Sequence, residues 1–319
     1  MERQRRTHAR SSNPDNPAAR RRAFGGRLAL LSALALAGCG SGGAGAHAVL
    51  HLVAAENFWG SIASQLAGSR ATVASIIVNP NTDPHSYEPT PADARTFAAA
   101  RLAIVNGLGY DDWAPKLLAA SPLAGRITLN VGVLLGLRAG DNPHQWYSPG
   151  TVTRVVGAIV ADLASLDPKD GAYFRDRERA FETVALARYH ALIAQIRARY
   201  RGVAVGYSES IFQPLGKALG LRLLTPDGFA KAIAEGTDVT AADKQTVDRQ
   251  AQRHLIKVWV FNSQNVTPDV QRVNQLARAA GIPVATVTET LAPAGVDFEQ
   301  WQVRELMGLA HALARATRR

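Results

Sequence analysis

Four side chains in this sequence have the chemistry of metal ligands, and each follows a predicted strand or a proline-braced turn. They are His85, His144, Glu209 and Glu289. Each alone has a plain structural alternative: a solvated loop histidine, a packed turn, a carboxylate at a helix N-terminus, or a carboxylate where a strand reaches the surface. Together, two imidazoles and two carboxylates suit Zn²⁺ or Mn²⁺, with oxygen favouring Mn²⁺ and nitrogen favouring Zn²⁺.

The surroundings of the two histidines strengthen this interpretation. The loop around His85 contains three prolines, which prevent it from continuing as a strand or a helix. It leaves the carboxyl end of a predicted parallel strand, where open α/β sheets place ligands. Trp146 and Tyr147 follow His144, and their rings could wall the site and lower the local dielectric constant. Since Cys39 is the only cysteine, a soft thiolate site is excluded.

The elements that must position these residues alternate along the chain. Amphipathic helices are predicted at Asn57–Leu66, Ala92–Ala100 and Pro268–Ala280. Short runs rich in Val and Ile predict strands at Ala48–Ala54, Thr72–Val78, Leu102–Val105, Ile127–Asn130, Val203–Tyr207, Lys257–Phe261 and Val284–Val287. Such alternation indicates βαβ units with mostly parallel sheets, covered on both faces by helices.

The middle of the chain breaks this alternation. No strand is predicted from Thr151 to Tyr200, and Ala172–Tyr200 has the pattern of one long helix. The expected fold class is therefore α/β, with two lobes joined by one long rigid helix. The predicted boundaries are an N-terminal lobe over residues 48–170, a linking helix over 171–201 and a C-terminal lobe over 202–319.

The first 39 residues have the features of a signal peptide. A basic region is followed by the apolar run Leu28–Gly38, which would rise about 16 Å as a helix, half of a bilayer's hydrocarbon core. The run ends at Cys39 in a sequence that resembles a bacterial lipobox. A Gly- and Ser-rich segment then predicts a flexible tether over residues 40–47. We expect an extracytoplasmic protein anchored to the cell membrane by lipid on Cys39; Arg21-Arg22 leaves twin-arginine export open.

Net charge gives little reason to expect a nucleic-acid partner. The formal charge is +10, but residues 1–38 carry +6 of it, leaving +4 for the rest of the chain. The excess of arginine therefore indicates a targeting segment, and no nucleic acid is expected as a partner.

Five motifs resemble those of the bacterial ABC-transporter solute-binding proteins for zinc and manganese. They lie at Ala54–Gly60, Asp83–Pro89, Asn106–Trp113, Asn142–Tyr147 and Val287–Leu291. The resemblance covers about residues 48–318 and implies a metal held between two lobes, with His85, His144, Glu209 and Glu289 on the ligand positions. Tyr87, Glu88 and Trp146 are expected to support those ligands. The implied partners are a permease and its ATPase, and a monomer is expected.

The resemblance leaves the metal open between zinc and manganese. Many zinc-specific relatives have a third histidine where Glu209 stands and a long His-rich loop, which this sequence lacks. Both differences favour manganese. The Asn57-Phe-Trp-Gly60 segment, however, resembles a subgroup usually described as binding zinc or both metals.

Two other functions are compatible with parts of the sequence. One is a binding protein for an organic ligand or an iron chelate on the same scaffold. The other is a metallohydrolase, which would need an open coordination position for water. Four predicted ligands leave no such position, and no hydrolase motif is present, so the sequence predicts a protein that is not an enzyme.

Overall fold

The structure, a computed structural model, describes residues 49–80, 82 and 87–317. The predicted signal peptide, the tether and Cys39 lie outside the described residues, as does His85. The predicted first strand lies two residues too early, because strand β1 covers Leu50–Glu56.

Two four-stranded parallel sheets form the framework, as the sequence predicts. The first contains β1 (Leu50–Glu56), β2 (Ala71–Ile77), β3 (Leu102–Val105) and β4 (Ile127–Asn130), in the order β2-β1-β3-β4. The second contains β5 (Ala204–Tyr207), β6 (Arg222–Leu223), β7 (Val258–Asn262) and β8 (Val284–Val287), in the order β6-β5-β7-β8. The two-residue strand β6 is the one element of these sheets that the sequence did not predict, since it is too short to show a pattern.

Twelve α-helices are assigned within the described residues. Those of the first lobe are α1 (Asn57–Ala67), α2 (Pro91–Ala99), α3 (Trp113–Ala120), α4 (Val131–Leu135) and α5 (Pro149–Leu166). The linking segment contains α6 (Gly171–Ala180) and α7 (Ala187–Tyr200). The second lobe contains α8 (Gln213–Ala218), α9 (Asp227–Ala234), α10 (Ala241–Gln252), α11 (Pro268–Ala279) and α12 (Phe298–Thr317). Helices α2, α5, α10 and α11 each begin at a Ser or Thr side chain that accepts a backbone N–H of the first turn.

The linking segment differs from the single α-helix predicted over Ala172–Tyr200. A π-helical turn at Phe181–Ala185 separates α6 from α7, and the Leu186 N–H donates to the Phe181 carbonyl at 2.8 Å, five residues back. The helical path is continuous through this turn, but it contains one residue more than an α-helix would. Side-chain periodicity does not reveal such a turn, because hydrophobic positions on either side keep a helical spacing.

One continuous hydrophobic core runs through both lobes and the linking segment. It extends from Ile104 in the first sheet through Phe174 and Ile196 on the linking helices to Val260 in the second sheet. Helix α5 is long and apolar enough to cross a membrane by composition alone, yet its buried residues pack in this same core.

We expect the linking helices to contribute strongly to stability through this core. Phe174→Ala should lower the free energy of unfolding by about 3–5 kcal/mol, because Phe174 is fully buried and its removal leaves a cavity. Val184→Ala, in the π-helical turn, is the control: Val184 is 74% exposed, so a change within about 0.5 kcal/mol is expected. Urea-induced unfolding measures both, and equal effects would contradict the role of the linking segment in the core.

Candidate metal centre

Three of the four predicted ligands meet in the structure. One ligand atom from each of His144, Glu209 and Glu289 lies within 4.8 Å of the other two. The exposed fractions of these residues are 0%, 0% and 7% respectively. The fourth predicted ligand, His85, lies outside the described residues. The cluster thus combines one imidazole and two carboxylates in a buried position, a donor set that suits a divalent cation.

The order of strands in the second sheet explains why the carboxylates converge. Glu209 follows β5 and Glu289 follows β8, while β7 lies between these two strands. Asn262 is the last residue of β7, so it stands between the carboxylates. Its Nδ2 donates to Oε1 of Glu209 at 2.6 Å and to Oε1 of Glu289 at 3.0 Å. One amide therefore orients both carboxylates at the carboxyl edge of the sheet.

Glu209 does not act as the helix cap that its position allowed. It precedes a 3₁₀ turn at Ser210–Phe212 in extended conformation, and its side chain makes no capping hydrogen bond. Instead, Oε2 accepts from Nδ2 of Asn265 at 2.8 Å, while Oε1 accepts from Asn262. Two asparagine amides thus hold the Glu209 carboxylate in place beside His144 and Glu289.

His144 is held in one orientation and one tautomer by Asn142. The Asn142 side-chain oxygen accepts from the His144 backbone N–H at 3.0 Å and lies 2.8 Å from Nδ1. Nδ2 of Asn142 donates to the Ser210 carbonyl at 2.7 Å, which fixes the orientation of the amide. Because an amide oxygen can only accept, Nδ1 carries the proton. Nε2 then presents its lone pair towards Glu289, whose Oε2 lies 3.5 Å away.

Burial governs the protonation of the cluster. It lowers the pKa of His144 to about 4, although the charge of Glu209 opposes this change, so the imidazole is neutral near pH 7. Burial, followed by the charge of Glu289, raises the pKa of Glu209 well above its usual range. Ionisation of both carboxyl groups in a buried site is unfavourable unless a cation lies beside them. Without a cation, one of the two groups is expected to hold a proton.

Residues from the other lobe and a neighbouring loop complete the surroundings of Glu289. The Tyr110 hydroxyl donates to Oε2 of Glu289 at 2.9 Å. Oε1 of Gln264 accepts from the backbone N–H of Glu289 at 2.6 Å. Nε2 of the same glutamine donates to the carbonyl of Pro80, near the start of the loop that contains His85. Gln264 therefore connects the turn of Glu289 with the beginning of that loop.

The three residues predicted to support the ligands have different surroundings. Trp146 is fully buried, and its ring lies 5.3 Å from the His144 ring between centroids. Tyr87 donates to Asp93 at 2.8 Å, beside the capping box of α2. Glu88 is exposed. Only Trp146 contacts the described cluster.

Sequence reasoning missed Asn142, Asn262 and Gln264 as supporting residues. One signal was available for Asn262: it ends a predicted strand at the same edge as Glu209 and Glu289. Asn142 stands two residues before His144, a spacing at which an Asn side chain commonly bonds to the backbone ahead of it. No pattern in the sequence indicates the contacts of Gln264.

A cavity of about 500 Å³ reaches His144 from the surface. Its walls come from both lobes and include Asp141 and Asn142 from the first and Ser210 and Asp227 from the second. The cluster is thus buried but adjoins space large enough for a hydrated ion to approach.

The sequence matches one protein-family model over most of its length. The model is described as "ZnuA: Zinc-uptake complex component A periplasmic" and matches residues 52–312. Among solved structures, a Mn-bound periplasmic metal-binding protein from candidatus Liberibacter asiaticus has a TM-score of 0.66 at 20% identity, over 82% of this chain and 98% of that one. This likeness shows that the fold is shared.

Curated relatives match different shares of the chain. The chain is 28% identical over 206 residues to the manganese-binding lipoprotein MntA of Halalkalibacterium halodurans, covering 60% of this chain and 66% of that protein. It is 28% identical to the manganese ABC transporter substrate-binding lipoprotein PsaA of Streptococcus anginosus, covering 85% and 91% respectively. The chain spans less than two thirds of the length of the first curated relatives it matches, between 54% and 66%.

The bridging amide of Asn262 gives a test of the centre. Asn262→Ala should weaken the binding of a divalent metal about 10–100-fold, because both carboxylates lose the donor that orients them. Asn274→Ala is the matched control: Asn274 is buried in the same lobe, but its side chain accepts from Trp259 at 2.7 Å. Competitive titration against a metal-sensitive dye measures both. Similar losses in the two variants would indicate general destabilisation and contradict the role given to Asn262.

Proposed function

Because the chain belongs to the family of zinc-uptake complex component A proteins, we propose that it is the substrate-binding component of a metal-ion ABC importer. It captures Zn²⁺ or Mn²⁺ as cargo and delivers the ion to the permease. The observation that carries this proposal is the buried cluster of His144, Glu209 and Glu289, whose ligand atoms lie within 4.8 Å of one another. A span of this size suits one bare ion bound to several side chains.

The charge of the cluster supports a divalent cargo. Two ionised carboxylates and one neutral imidazole carry a charge of −2, so a divalent ion makes the site neutral. Nε2 of His144 and one oxygen each from Glu209 and Glu289 are the ligand atoms that we assign. The tautomer of His144, which Asn142 fixes, leaves Nε2 able to bind a cation.

We assign His85 as the fourth ligand. It stands five residues after Pro80, whose carbonyl accepts from Gln264. Gln264 also accepts from the backbone of Glu289. The beginning of the His85 loop is therefore held beside the turn of a second ligand. A fourth ligand from this loop would complete a tetrahedral set, with two ligands from each lobe.

The remaining assignments follow from the same membership. A lipid on Cys39 would tether the protein outside the cell membrane, in line with the relatives that are named lipoproteins. Its partners are then a permease and its ATPase, and the protein works as a monomer. The mature chain would begin with Cys39 and the tether over 40–47, followed by lobes over 48–170 and 202–319 that the segment 171–201 joins. Binding and delivery require no chemical step, so the protein is not an enzyme.

Native mass spectrometry separates this proposal from capture of an organic ligand or an iron chelate. A bare ion adds tens of daltons to the mature protein, whereas a chelate adds hundreds. The relatives include proteins named for manganese binding, iron binding and zinc uptake, so these names do not identify the metal.

Removal of either type of ligand should abolish tight binding. We expect His144→Ala and Glu209→Ala each to lower Zn²⁺ and Mn²⁺ affinity by at least about 100-fold, beyond the 10–100-fold typical for residues behind the ligands. His311→Ala is the control, because His311 is exposed on α12. Isothermal titration calorimetry of the mature protein measures affinity and a stoichiometry of one ion. Wild-type affinity in His144→Ala would refute the site.

The same titration identifies the metal when Glu209→His is added. Replacing a carboxylate by an imidazole makes the donor set richer in nitrogen, which favours Zn²⁺ over Mn²⁺. If manganese is the cargo, wild-type protein keeps Mn²⁺ affinity that Glu209→His removes. If zinc is the cargo, wild-type selectivity for Zn²⁺ exceeds the ordinary preference that any such site has.

Affinity should rise with pH because the metal displaces a proton. The pKa of Glu209 is raised well above its usual range, so below that pKa the metal-free site holds a proton that binding must release. His144, with a pKa of about 4, adds to the dependence only in acid. Calorimetry in buffers of different ionisation enthalpy should show proton release just above pH 4.5, where a carboxyl group of ordinary pKa would already be ionised, and this release should disappear at high pH. Binding without proton release in that range would contradict the buried carboxylate pair.

A further inference from the structure

A further carboxyl group, that of the partly buried Glu305, lies behind the cluster, on α12. Oε2 of Glu305 is 2.6 Å from the hydroxyl oxygen of Tyr147, and Oε1 accepts from Nε1 of Trp301 at 2.9 Å. Oε1 also lies 3.0 Å from the hydroxyl of Thr288. Tyr147 and Trp301 are fully buried, and Thr288 is 8% exposed. The carboxyl group thus faces three buried polar groups.

The Tyr147 hydroxyl has more acceptors around it than it has hydrogens. Besides Glu305, it lies 2.9 Å from the carbonyl oxygen of Thr288, and it accepts from the Thr288 N–H at 3.2 Å. The carbonyl can only accept, so it requires the single tyrosine hydrogen. The contact of 2.6 Å between the hydroxyl and Glu305 then needs another hydrogen, which the carboxyl of Glu305 can supply.

The other oxygen of Glu305 is satisfied without a further proton. Trp301 donates to Oε1, and the Thr288 hydroxyl can direct its hydrogen to the Thr290 carbonyl at 2.9 Å. A protonated Glu305 therefore gives each of the two close oxygen pairs at the Tyr147 hydroxyl one hydrogen. An ionised Glu305 would take the tyrosine hydrogen and leave the Thr288 carbonyl facing an oxygen without one.

The hydrogen-bond network of Glu305, Tyr147 and Thr288 lies beside the turns that carry His144 and Glu289. Tyr147 closes the 3₁₀ turn that begins at His144, and its N–H donates to the His144 carbonyl at 3.2 Å. Thr288 precedes Glu289 directly. Tyr147 and Thr288 come from different lobes, so their contacts hold the His144 turn against the Glu289 turn. Nε2 of His144 and Oε2 of Glu289, which these two turns carry, lie 3.5 Å apart.

We propose that Glu305 is a neutral carboxylic acid that positions Glu289 for metal binding by joining Tyr147 of one lobe to Thr288 of the other. The role as a positioning residue rests on the proposed function, because only there is Glu289 a ligand. The protonation of Glu305 is independent of that function.

The surroundings of Glu305 favour the neutral form. Burial raises the pKa of Glu305 to about 8, against hydrogen bonds from Tyr147, Thr288 and Trp301 that lower it. Burial raises the pKa of Tyr147 well above its usual range, so the phenol keeps its hydrogen. An ionised Glu305 would place a further negative charge beside a turn that already presents a carboxylate.

The test combines a spectroscopic readout with metal affinity. In the metal-free protein near neutral pH, the infrared difference spectrum of wild type minus Glu305→Gln should show the carbonyl band of a protonated carboxylic acid. Glu299→Gln is the matched control on the same helix: Glu299 accepts from Gln65 at 2.8 Å, away from Thr288, and should give no such band. An ionised Glu305 would show carboxylate bands in its place and would overturn the neutral acid.

Metal affinity tests the positioning role. Glu305→Gln keeps an acceptor for Trp301 and a donor for Tyr147 without charge, so its affinity should stay close to wild type. Glu305→Ala and Tyr147→Phe each break the connection and should lower affinity about 10–100-fold. Thermal unfolding of the metal-free variants accompanies the titrations. Wild-type affinity in Glu305→Ala and Tyr147→Phe, even with lowered stability, would overturn the positioning role.

The two proposals fail in different ways. If wild-type protein binds neither metal, the proposed function fails, while the infrared band still decides the protonation of Glu305. If wild type binds metal but Glu305 shows carboxylate bands, the proposed function stands and the neutral acid is overturned.

Discussion

The burial of two carboxylates beside one imidazole is the constraint on which the rest of this structure depends. Glu209 and Glu289 stand side by side, and their mutual repulsion in a buried place must be offset by a proton or a cation. Strands β5, β7 and β8 run parallel, so their carboxyl ends lie at the same edge of the sheet. Glu209 and Glu289 are therefore brought close together. Asn262, the last residue of the middle strand β7, supplies two hydrogen-bond donors and no charge. It therefore orients both carboxylates without replacing the cation.

Both lobes are needed to hold this arrangement. His144 belongs to the first lobe and the carboxylates to the second, and the Tyr110 hydroxyl crosses between the lobes to Glu289. The hydrophobic core is continuous through the linking helices, so a wide opening of the lobes would expose close-packed apolar surface. Under the proposed function, metal capture is therefore expected to reorder side chains and loops around the cluster, and release is expected to need work from a partner.

The sequence allows prediction of those candidate ligands that stand just after the end of a strand. Glu209 and Glu289 were identifiable because each polar side chain stands where a buried strand stops, and parallel strands end together. His144 was identifiable from a proline-braced turn with aromatic neighbours. Tyr110 and Gln264 were not, because each meets Glu289 across a separation in sequence that no local pattern records. The π-helical turn at Phe181–Ala185 escaped prediction for a different reason: it adds one residue without disturbing the helical spacing on either side.

Charge balance links the cluster to the network behind it. A divalent ion, two carboxylates and a neutral His144 sum to zero, so a buried site containing them carries no net charge. An ionised Glu305 close to Thr288 would add a negative charge with no counter-charge beside it, which is unfavourable. As a neutral acid, Glu305 supplies a hydrogen to Tyr147 and accepts one from Trp301 without disturbing that balance. The proposed metal site and the protonated carboxyl proposed behind it thus follow from one rule: a charge removed from water persists only where a counter-charge meets it.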